Sequence, residues 1–192
     1  DSLLRDPILI EVARRNTAAE TVTQLAYRVD QARKRELLAH LIKTQDLRQV
    51  LVFTRTKSGA DRLAHQLDRD GIRADAIHGD KTQPQRTKAL SDFKEGVVRV
   101  LVATDVAARG IDIDQLPHVF NFEMPNSPED YVHRIGRTGR AGSQGIAISL
   151  VSGEEMRMLG EIEHLIKREI PKEVVAGFEP GTAPKSEESP RG

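Results

Sequence analysis

The chain has no cysteine among its 192 residues. Disulfides, thiol nucleophiles and cysteine-bound zinc or iron–sulfur centres are therefore excluded, and the composition favours a reducing compartment such as the cytoplasm. No hydrophobic run approaches the roughly 18 residues of a membrane-spanning helix, and the first residues, DSLLRDPILI, lack the basic start and cleavage site of a signal peptide. We therefore predict a soluble, cytoplasmic protein that does not contact a membrane.

Aromatic residues and net charge are also scarce. The chain has five Phe, two Tyr and no Trp, and its 29 Lys and Arg balance 29 Asp and Glu. Few aromatic side chains disfavour a site that binds nucleic acid by stacking on its bases. Without a net positive charge, an anionic partner has to be bound by local basic clusters. The six histidines show no metal-binding spacing such as H-E-x-x-H, so we predict no metal site.

Short apolar runs alternate with segments of helical periodicity. The runs at 50–53, 74–77, 98–103, 118–122 and 145–151 predict strands, and 31–44, 57–71, 83–96, 127–137 and 152–169 predict helices. The last helix begins with a capping box of Ser152 and Glu155. Apolar strands that are each followed by a helix predict an α/β fold, an open parallel β-sheet with helices on both faces.

The two ends of the chain differ from the middle. Ile8, Ile10 and Val12 alternate like a strand, so we assign residues 1–20 to the end of a preceding domain and an interdomain linker. Residues 21–170 form the α/β domain. Pro, Gly, Ser and Glu dominate the remainder, and we predict a flexible tail over 171–192.

The residues that follow the strands indicate a phosphate-binding edge. TRTKSG follows the strand at 50–53, HGDKTQPQR the one at 74–77 and TDVAARGID the one at 98–103. Hydroxyls, glycines, arginines and lysines at the carboxyl ends of parallel strands can hold phosphate oxygens. Each also has a plainer explanation, because the threonines can cap helices, Gly79 and Gly110 can permit turns, and Asp112 and Asp114 can belong to a solvated loop.

The stretch YVHRIGRTGRAG, residues 131–142, collects Arg134, Arg137, Arg140 and His133 without a carboxylate between them. If its helix continued through Arg140, then His133, Arg137 and Arg140 would share one face. An exposed basic helix face is the simpler interpretation. Closely spaced guanidinium groups are also what a phosphoryl-transfer site needs, because their charge meets the charge that develops on the γ-phosphate.

Four of these segments together resemble the DEAD-box RNA helicases. ATDVAARGID (103–112) is similar to motif V, YVHRIGRTGR (131–140) to motif VI, VLVFTRTK (50–57) to motif IV, and HGDKTQPQR (78–86) to the Q-x-x-R segment. The resemblance covers roughly residues 20–170, and the runs VARRNT and LPHVFNFEMPNSPEDYVHRIGRTGRAG are most similar to the bacterial RhlE-type subfamily. It implies a RecA-like fold, the second of two domains that close on ATP and RNA.

The resemblance also implies roles for single residues. Arg137 and Arg140 would be catalytic arginine fingers that reach the γ-phosphate, and His133 would couple that contact to the other domain. Asp112 would bind the ribose of the nucleotide, with Gly110 beside it. The residues that would bind RNA are Thr104, Gly79 and Arg86, with Arg55 and Gln83 as weaker candidates. Phe53 would pack behind motif VI to hold an arginine, and Arg134 would form a structural ion pair.

The chain shows no Walker A sequence, D-E-A-D or S-A-T. The resemblance therefore implies that ATP and Mg²⁺ are bound mainly by an upstream domain of the same polypeptide, so that this chain alone would be inactive as an ATPase. Three alternatives stay open: an RNA-binding module that uses no ATP, a DNA helicase of the same superfamily, and a purely structural interaction domain. The sequence specifies neither the RNA, nor partners in ribosome assembly or RNA decay, nor the oligomeric state.

Overall fold

A computed structural model describes residues 21–138 and 145–181. Its strands are β1 (Val22–Arg28), β2 (Val50–Thr54), β3 (Ala74–Ile77), β4 (Val100–Thr104), β5 (His118–Asn121), β6 (Gly145–Val151) and β7 (Lys172–Glu173). Its helices are α1 (Lys34–Thr44), α2 (Lys57–Arg69), α3 (Gln83–Lys94), α4 (Asp105–Arg109), α5 (Pro128–Ile135) and α6 (Met156–Ile166). Short 3₁₀ turns precede α1 and α6, at Gln31–Arg33 and Gly153–Glu155.

The strands form one sheet in the order β3-β4-β2-β5-β6-β1-β7, and every pairing among them is parallel. In β2, Val50 and Val52 point to the face that packs on α1 and α2, whereas Leu51 and Phe53 point to the face that packs on α3. A strand buried on both faces reads as a continuous apolar run. The predicted α/β class, with a parallel sheet between two layers of helices, is confirmed.

The first and last strands along the chain, β1 and β7, were not predicted. The sequence of β1, VTQLAYR, alternates between buried and more exposed positions, with Gln24 among the buried ones. The amide oxygen of Gln24 accepts a hydrogen bond from the Tyr131 hydroxyl at 2.6 Å. A search for wholly apolar runs misses such a strand, because the polar position is satisfied by a residue far away in the sequence.

The α/β domain extends beyond residue 170, where the sequence predicted that a flexible tail begins. Lys172–Glu173 pair with β1, and the chain beyond them packs on the domain. Phe178 is buried, with the Arg33 guanidinium carbon 4.5 Å from its ring centroid and the His40 ring centroid at 5.3 Å. Arg33 also donates to the Gly177 carbonyl at 2.7 Å. The packed domain therefore includes Phe178, because this aromatic residue anchors a segment of otherwise tail-like composition.

Helix α5 is shorter than the sequence predicted. It starts at Pro128, where the Ser127 side chain caps the first turn, and it ends at Ile135, with Gly136 as the C-cap residue. Arg137 therefore lies beyond the helix, so the condition under which His133 and Arg137 would share a helical face is not met. Arg140 and the strand predicted around residues 8–12 lie outside the described residues. Within residues 21–138 and 145–181, no helix is long and apolar enough to cross a membrane.

Candidate functional site

A cleft of about 340 Å³ opens between α3 and α4, beyond the carboxyl ends of β3 and β4. Its lining includes five of the residues predicted from the sequence: Gly79, Gln83, Arg86, Gly110 and Asp112. The lining also includes the apolar residues Leu90, Val106, Ala107 and Ile111. Ligands of parallel α/β sheets bind at this edge. The structure thus brings three of the five candidate RNA residues, Gly79, Gln83 and Arg86, into one cleft with the candidate ribose residue Asp112, whereas Thr104 and Arg55 do not line it.

The α3 wall of the cleft presents a guanidinium and an amide. Thr82 and Gln85 form a capping box that fixes the start of α3. The Arg86 Nη2 atom donates to the Gln83 Oε1 atom at 3.0 Å, and Gln83 in turn contacts the Thr87 hydroxyl at 3.4 Å. Arg86 is half-buried, and Gln83 is exposed. Both side chains are therefore positioned by their neighbours while they line an open cleft.

The loop between β3 and α3 is held by His78. The Asp80 backbone N–H donates to His78 Nδ1 at 3.2 Å, so His78 Nε2 is the protonated nitrogen and donates to Asp61 at 2.9 Å. Lys81 contacts the other oxygen of Asp61 at 3.1 Å. Burial alone would raise the pKa of Asp61, but the hydrogen bonds from His78 and Lys81 lower it. This network fixes the backbone on either side of Gly79, which lines the cleft.

The opposite wall is made by α4 and the segment after it. Thr104, the residue before α4, is buried, and its side chain makes no capping hydrogen bond to the helix. Val106 is 76% exposed at the mouth of the cleft. Gly110 ends α4, and Asp112 follows in the loop. The predicted interpretation of Thr104 as a helix cap is thus not supported by its side chain, whereas Thr56 does cap α2 by accepting from the Gly59 N–H at 3.0 Å.

Arg134 forms a structural ion pair, as the family resemblance implied. Its side chain is 1% exposed and forms a two-pronged ion pair with Asp105, at 2.7 Å and 2.9 Å. It also donates to the Asn121 side chain at 3.2 Å and to the Glu123 carbonyl at 2.6 Å. Its guanidinium carbon lies 5.1 Å from the ring centroid of Phe53. Phe53 therefore supports an arginine of the 131–142 stretch, and that arginine is Arg134.

Arg137 binds the backbone of the segment that follows α4. Its Nη1 atom donates to the carbonyl oxygens of Ile111 at 3.2 Å and Ile113 at 3.1 Å, and its Nη2 atom donates to that of Ala108 at 2.5 Å. Asp112 lies between two of these three carbonyls. The candidate finger and the candidate ribose ligand therefore belong to one hydrogen-bonded unit.

A second ion pair between α4 and α5 was not anticipated. Arg109, at the end of α4, contacts Asp130 in the first turn of α5 at 2.6 Å. Together with the pair of Arg134 and Asp105, it joins the two helices that follow β4 and β5. Arg109 belongs to the quoted run TDVAARGID, but the sequence gives no indication of its partner, because Asp130 lies in a different segment.

Arg55 is turned away from the cleft. Its Nε atom donates to the Met124 carbonyl at 2.6 Å, and its backbone N–H donates to Glu123 at 2.9 Å. It lines a separate cavity with Glu123, Glu154 and Glu155. The carboxylates give that cavity an acidic character, which disfavours a phosphate. The structure therefore places Arg55 apart from the other candidate RNA residues.

A buried ion pair lies beneath Arg55. Lys34, with no exposed side-chain area, donates to Glu155 and to the Phe122 carbonyl, the latter at 2.8 Å. Glu155 also accepts from the Met124 N–H at 2.7 Å and forms the predicted capping box with Ser152. Burial lowers the pKa of Lys34. Burial alone would raise the pKa of Glu155, but Lys34 and the backbone N–H groups lower it.

The remaining candidates are placed as follows. His133 is exposed on the last turn of α5. Arg140 lies outside the described residues. Among the residues that the structure describes, no group of three or more His, Asp and Glu side chains is arranged to hold a metal ion. The site built by the described residues therefore consists of cationic, amide and backbone groups around Asp112.

Comparisons with known proteins agree with this arrangement. Residues 33–142 match the helicase conserved C-terminal domain family. The chain is 40% identical to the ATP-dependent RNA helicase SrmB of Haemophilus influenzae over 96% of its own length and 42% of the relative. It is 45% identical to the ATP-dependent RNA helicase RhlB of Pseudomonas syringae over 86% of its own length and 42% of the relative. The chain thus spans about two fifths of these curated relatives.

A solved structure resembles the whole domain. The match to the E. coli DEAD-box protein SrmB, bound to regulator of ribonuclease activity A, has a TM-score of 0.79 and 43% identity, and it covers 86% of this chain and 98% of that one. The relatives include SrmB and RhlB proteins, so the finer assignment to the RhlE-type subfamily is not confirmed. The family model and these matches show that the chain belongs to the helicase C-terminal domain family, with the RecA-like fold of a DEAD-box protein C-terminal domain.

Proposed function

We propose that this chain is the second, C-terminal domain of an ATP-dependent RNA helicase and that it completes the catalytic site of the first domain. It supplies arginine fingers for ATP hydrolysis and half of the RNA-binding surface. The observation that supports this proposal is the shared cleft: Gln83 and Arg86 line one wall, Gly110 and Asp112 the other, and Arg137 binds the Asp112 segment. Groups suited to RNA phosphates and groups suited to a nucleotide therefore lie in the same cleft.

The proposed RNA contacts are made to the sugar–phosphate backbone. Gly79 allows the RNA strand to approach closely. Arg86 provides a guanidinium, and Thr104 and Gln83 provide neutral donors. Such contacts do not distinguish sequences, and they weaken as salt concentration rises. The exposed Val106 side chain offers apolar surface to a ribose or to a base face. Arg55 has a smaller part in this proposal, because the structure places it in an acidic cavity.

For ATP hydrolysis, the proposed roles of the chain are electrostatic. Arg137 and Arg140 stabilise the charge that develops on the γ-phosphate, His133 relays closure to the upstream domain, and Asp112 accepts a hydrogen bond from the ribose. An arginine finger raises the rate roughly 10³- to 10⁵-fold, but only when ATP lies against it. We propose that ATP with Mg²⁺, which neutralises phosphate charge, is held mainly by the upstream domain. Hydrolysis then depends on closure, which RNA spanning both domains favours.

Two narrower proposals rest on the sequence. The runs VARRNT and LPHVFNFEMPNSPEDYVHRIGRTGRAG suggest an RhlE-type subfamily, and the absence of cysteine suggests a cytoplasmic location. Unwinding or remodelling of RNA duplexes by the two-domain protein is proposed from the names of its relatives.

The proposal is tested by comparing ATP hydrolysis by this chain alone with hydrolysis by a protein that also contains its upstream half. We expect negligible turnover and weak ATP affinity for the chain alone, and RNA-stimulated turnover for the two-domain protein. RNA binding without ATP hydrolysis in the two-domain protein would favour an RNA-binding module. Equal stimulation by DNA and RNA of the same length would favour a DNA helicase. Turnover by the chain alone, above background, would refute the proposed division between domains.

A further inference from the structure

Residues 137 and 138 are fastened to the segment 108–116 by more than the Arg137 side chain. The Leu116 backbone N–H donates to the Arg137 carbonyl at 3.0 Å, and the Thr138 hydroxyl donates to the Leu116 carbonyl. Leu116 and Thr138 also form an isolated parallel bridge. Thr138 is 1% exposed. The guanidinium of Arg137 and the hydroxyl of Thr138 thus hold the same segment at two points, and we name these two groups the 137–138 clamp.

The clamped segment contains the groups that face the cleft. Gly110 and Asp112 both line it. The residues on either side of Asp112, Ile111 and Ile113, both accept hydrogen bonds from the Arg137 guanidinium through their carbonyl oxygens. Because the backbone is held both before and after Asp112, the position of its side chain depends on the clamp.

The two arginines that the structure describes in this stretch have different acceptors. Arg134 is held by the carboxylate of Asp105 in a two-pronged pair, an interaction that is strong and geometrically specific. Three acceptors of Arg137 are neutral backbone carbonyls. A phosphate oxygen forms charge-assisted hydrogen bonds with a guanidinium, and these are roughly twice as strong as those to a neutral acceptor. Arg137 can therefore exchange its carbonyl acceptors for a phosphate.

We propose that the 137–138 clamp positions Asp112 for the ribose of ATP, and that Arg137 is held on the 108–113 carbonyls until a γ-phosphate takes its guanidinium. Thr138 and the bridge to Leu116 then hold the segment while Arg137 is engaged. Thr138 is a positioning residue in this scheme, since it acts through the segment and does not touch ATP. The inference rests on the proposed function, because it assumes the ATP contacts of Arg137 and Asp112.

The first test is hydrogen exchange in this chain without nucleotide. Thr138→Val removes the hydroxyl and keeps the shape of the side chain, and Arg137→Lys keeps the charge with fewer donors. We expect both to speed exchange of the Leu116 amide about fivefold, the equivalent of one hydrogen bond. Arg157→Ala, which removes an arginine with 92% side-chain exposure, is the control and should leave that amide unchanged. Unchanged exchange in both clamp variants would refute the clamp.

The second test measures steady-state kinetics of the two-domain protein. Thr138→Val should raise the KM for ATP about fivefold and leave kcat within about twofold. With 2′,3′-dideoxy-ATP, which lacks the ribose hydroxyls, the substitution should leave KM unchanged. Thr138→Ser, which keeps a hydroxyl donor, should restore the KM for ATP. An equal rise in KM for both nucleotides, or no rise for either, would overturn the positioning role.

The two tests separate failure of this inference from failure of the proposed function. If the wild-type two-domain protein does not hydrolyse ATP, the proposed function fails, and the ATP-dependent part of this inference fails with it. If it hydrolyses ATP normally and Thr138→Val changes neither exchange nor KM, the clamp alone is refuted.

Discussion

Replacement of Arg134 by alanine should destabilise the domain far more than the same replacement of Arg137. Arg134→Ala removes four hydrogen bonds from a side chain that is 1% exposed. It leaves Asn121, which has no exposed area, without this donor. Loss of one partner of a buried ion pair costs about 3–5 kcal/mol. Because Asp105 is 20% exposed and can be hydrated, we expect about 3–4 kcal/mol.

Urea denaturation of this chain, followed by circular dichroism, measures the difference. With a slope of about 2 kcal/mol per molar urea, Arg134→Ala should lower the midpoint by about 1.5–2 M. Arg134→Lys should have an intermediate effect, because lysine keeps the charge and loses the fork. Arg137→Ala, at a half-buried position, should lower the midpoint by less than half as much. Equal midpoints for Arg134→Ala and Arg137→Ala would refute the assignment of a structural and a functional arginine.

Four further outcomes are expected. Arg86→Ala should weaken RNA binding by the two-domain protein similarly for all sequences and reduce the salt slope by about 1, in filter-binding assays at several salt concentrations. Glu155→Gln should cost about 3–5 kcal/mol in urea denaturation by leaving Lys34 buried without its carboxylate, and adding Lys34→Met should recover part of that loss. Phe178→Ala should cost about 3 kcal/mol by the same assay, whereas a flexible tail would give no change. Burial alone would raise the pKa of Glu163, but Lys172 on β7 and the Ile170 backbone N–H lower it. The stabilisation that this carboxylate provides is therefore present above its unfolded pKa near 4.5 and is lost as pH falls through its folded pKa. The urea midpoints of wild type and Glu163→Gln should converge between pH 7 and pH 3.

The central strands were predictable because burial on both faces leaves a local signal in the sequence. Each of β2 and β4 is apolar up to its last residue, so the run can be recognised without knowledge of its partners. β1 could not be found in this way, because its buried Gln24 is satisfied by Tyr131. The packed segment around Phe178 could not be predicted for the same reason, since the residues that it contacts, Arg33 and His40, lie near the other end of the chain.

The sequence indicated which residues were candidates for the site, but it indicated only in part which of them lie together in the structure. The residues at the ends of β3 and β4 share a cleft because parallel strands end at one edge, which the sequence implies. The structural role of Arg134 was implied by the family resemblance, and its partners were not. Arg55, a weaker RNA candidate than Arg86 in the sequence, does not line the cleft, because Glu123 and the Met124 carbonyl hold it elsewhere.

The most direct test of the central claim is the kcat of RNA-stimulated ATP hydrolysis by the two-domain protein with Arg137→Ala, at saturating ATP and RNA. Saturation separates the effect on the chemical step from weaker nucleotide binding through Asp112. If Arg137 is an arginine finger, kcat should fall roughly 10³-fold or more while circular dichroism shows an intact fold. A kcat within about threefold of wild type would contradict the account and leave Arg137 as a residue that only positions the 108–113 backbone.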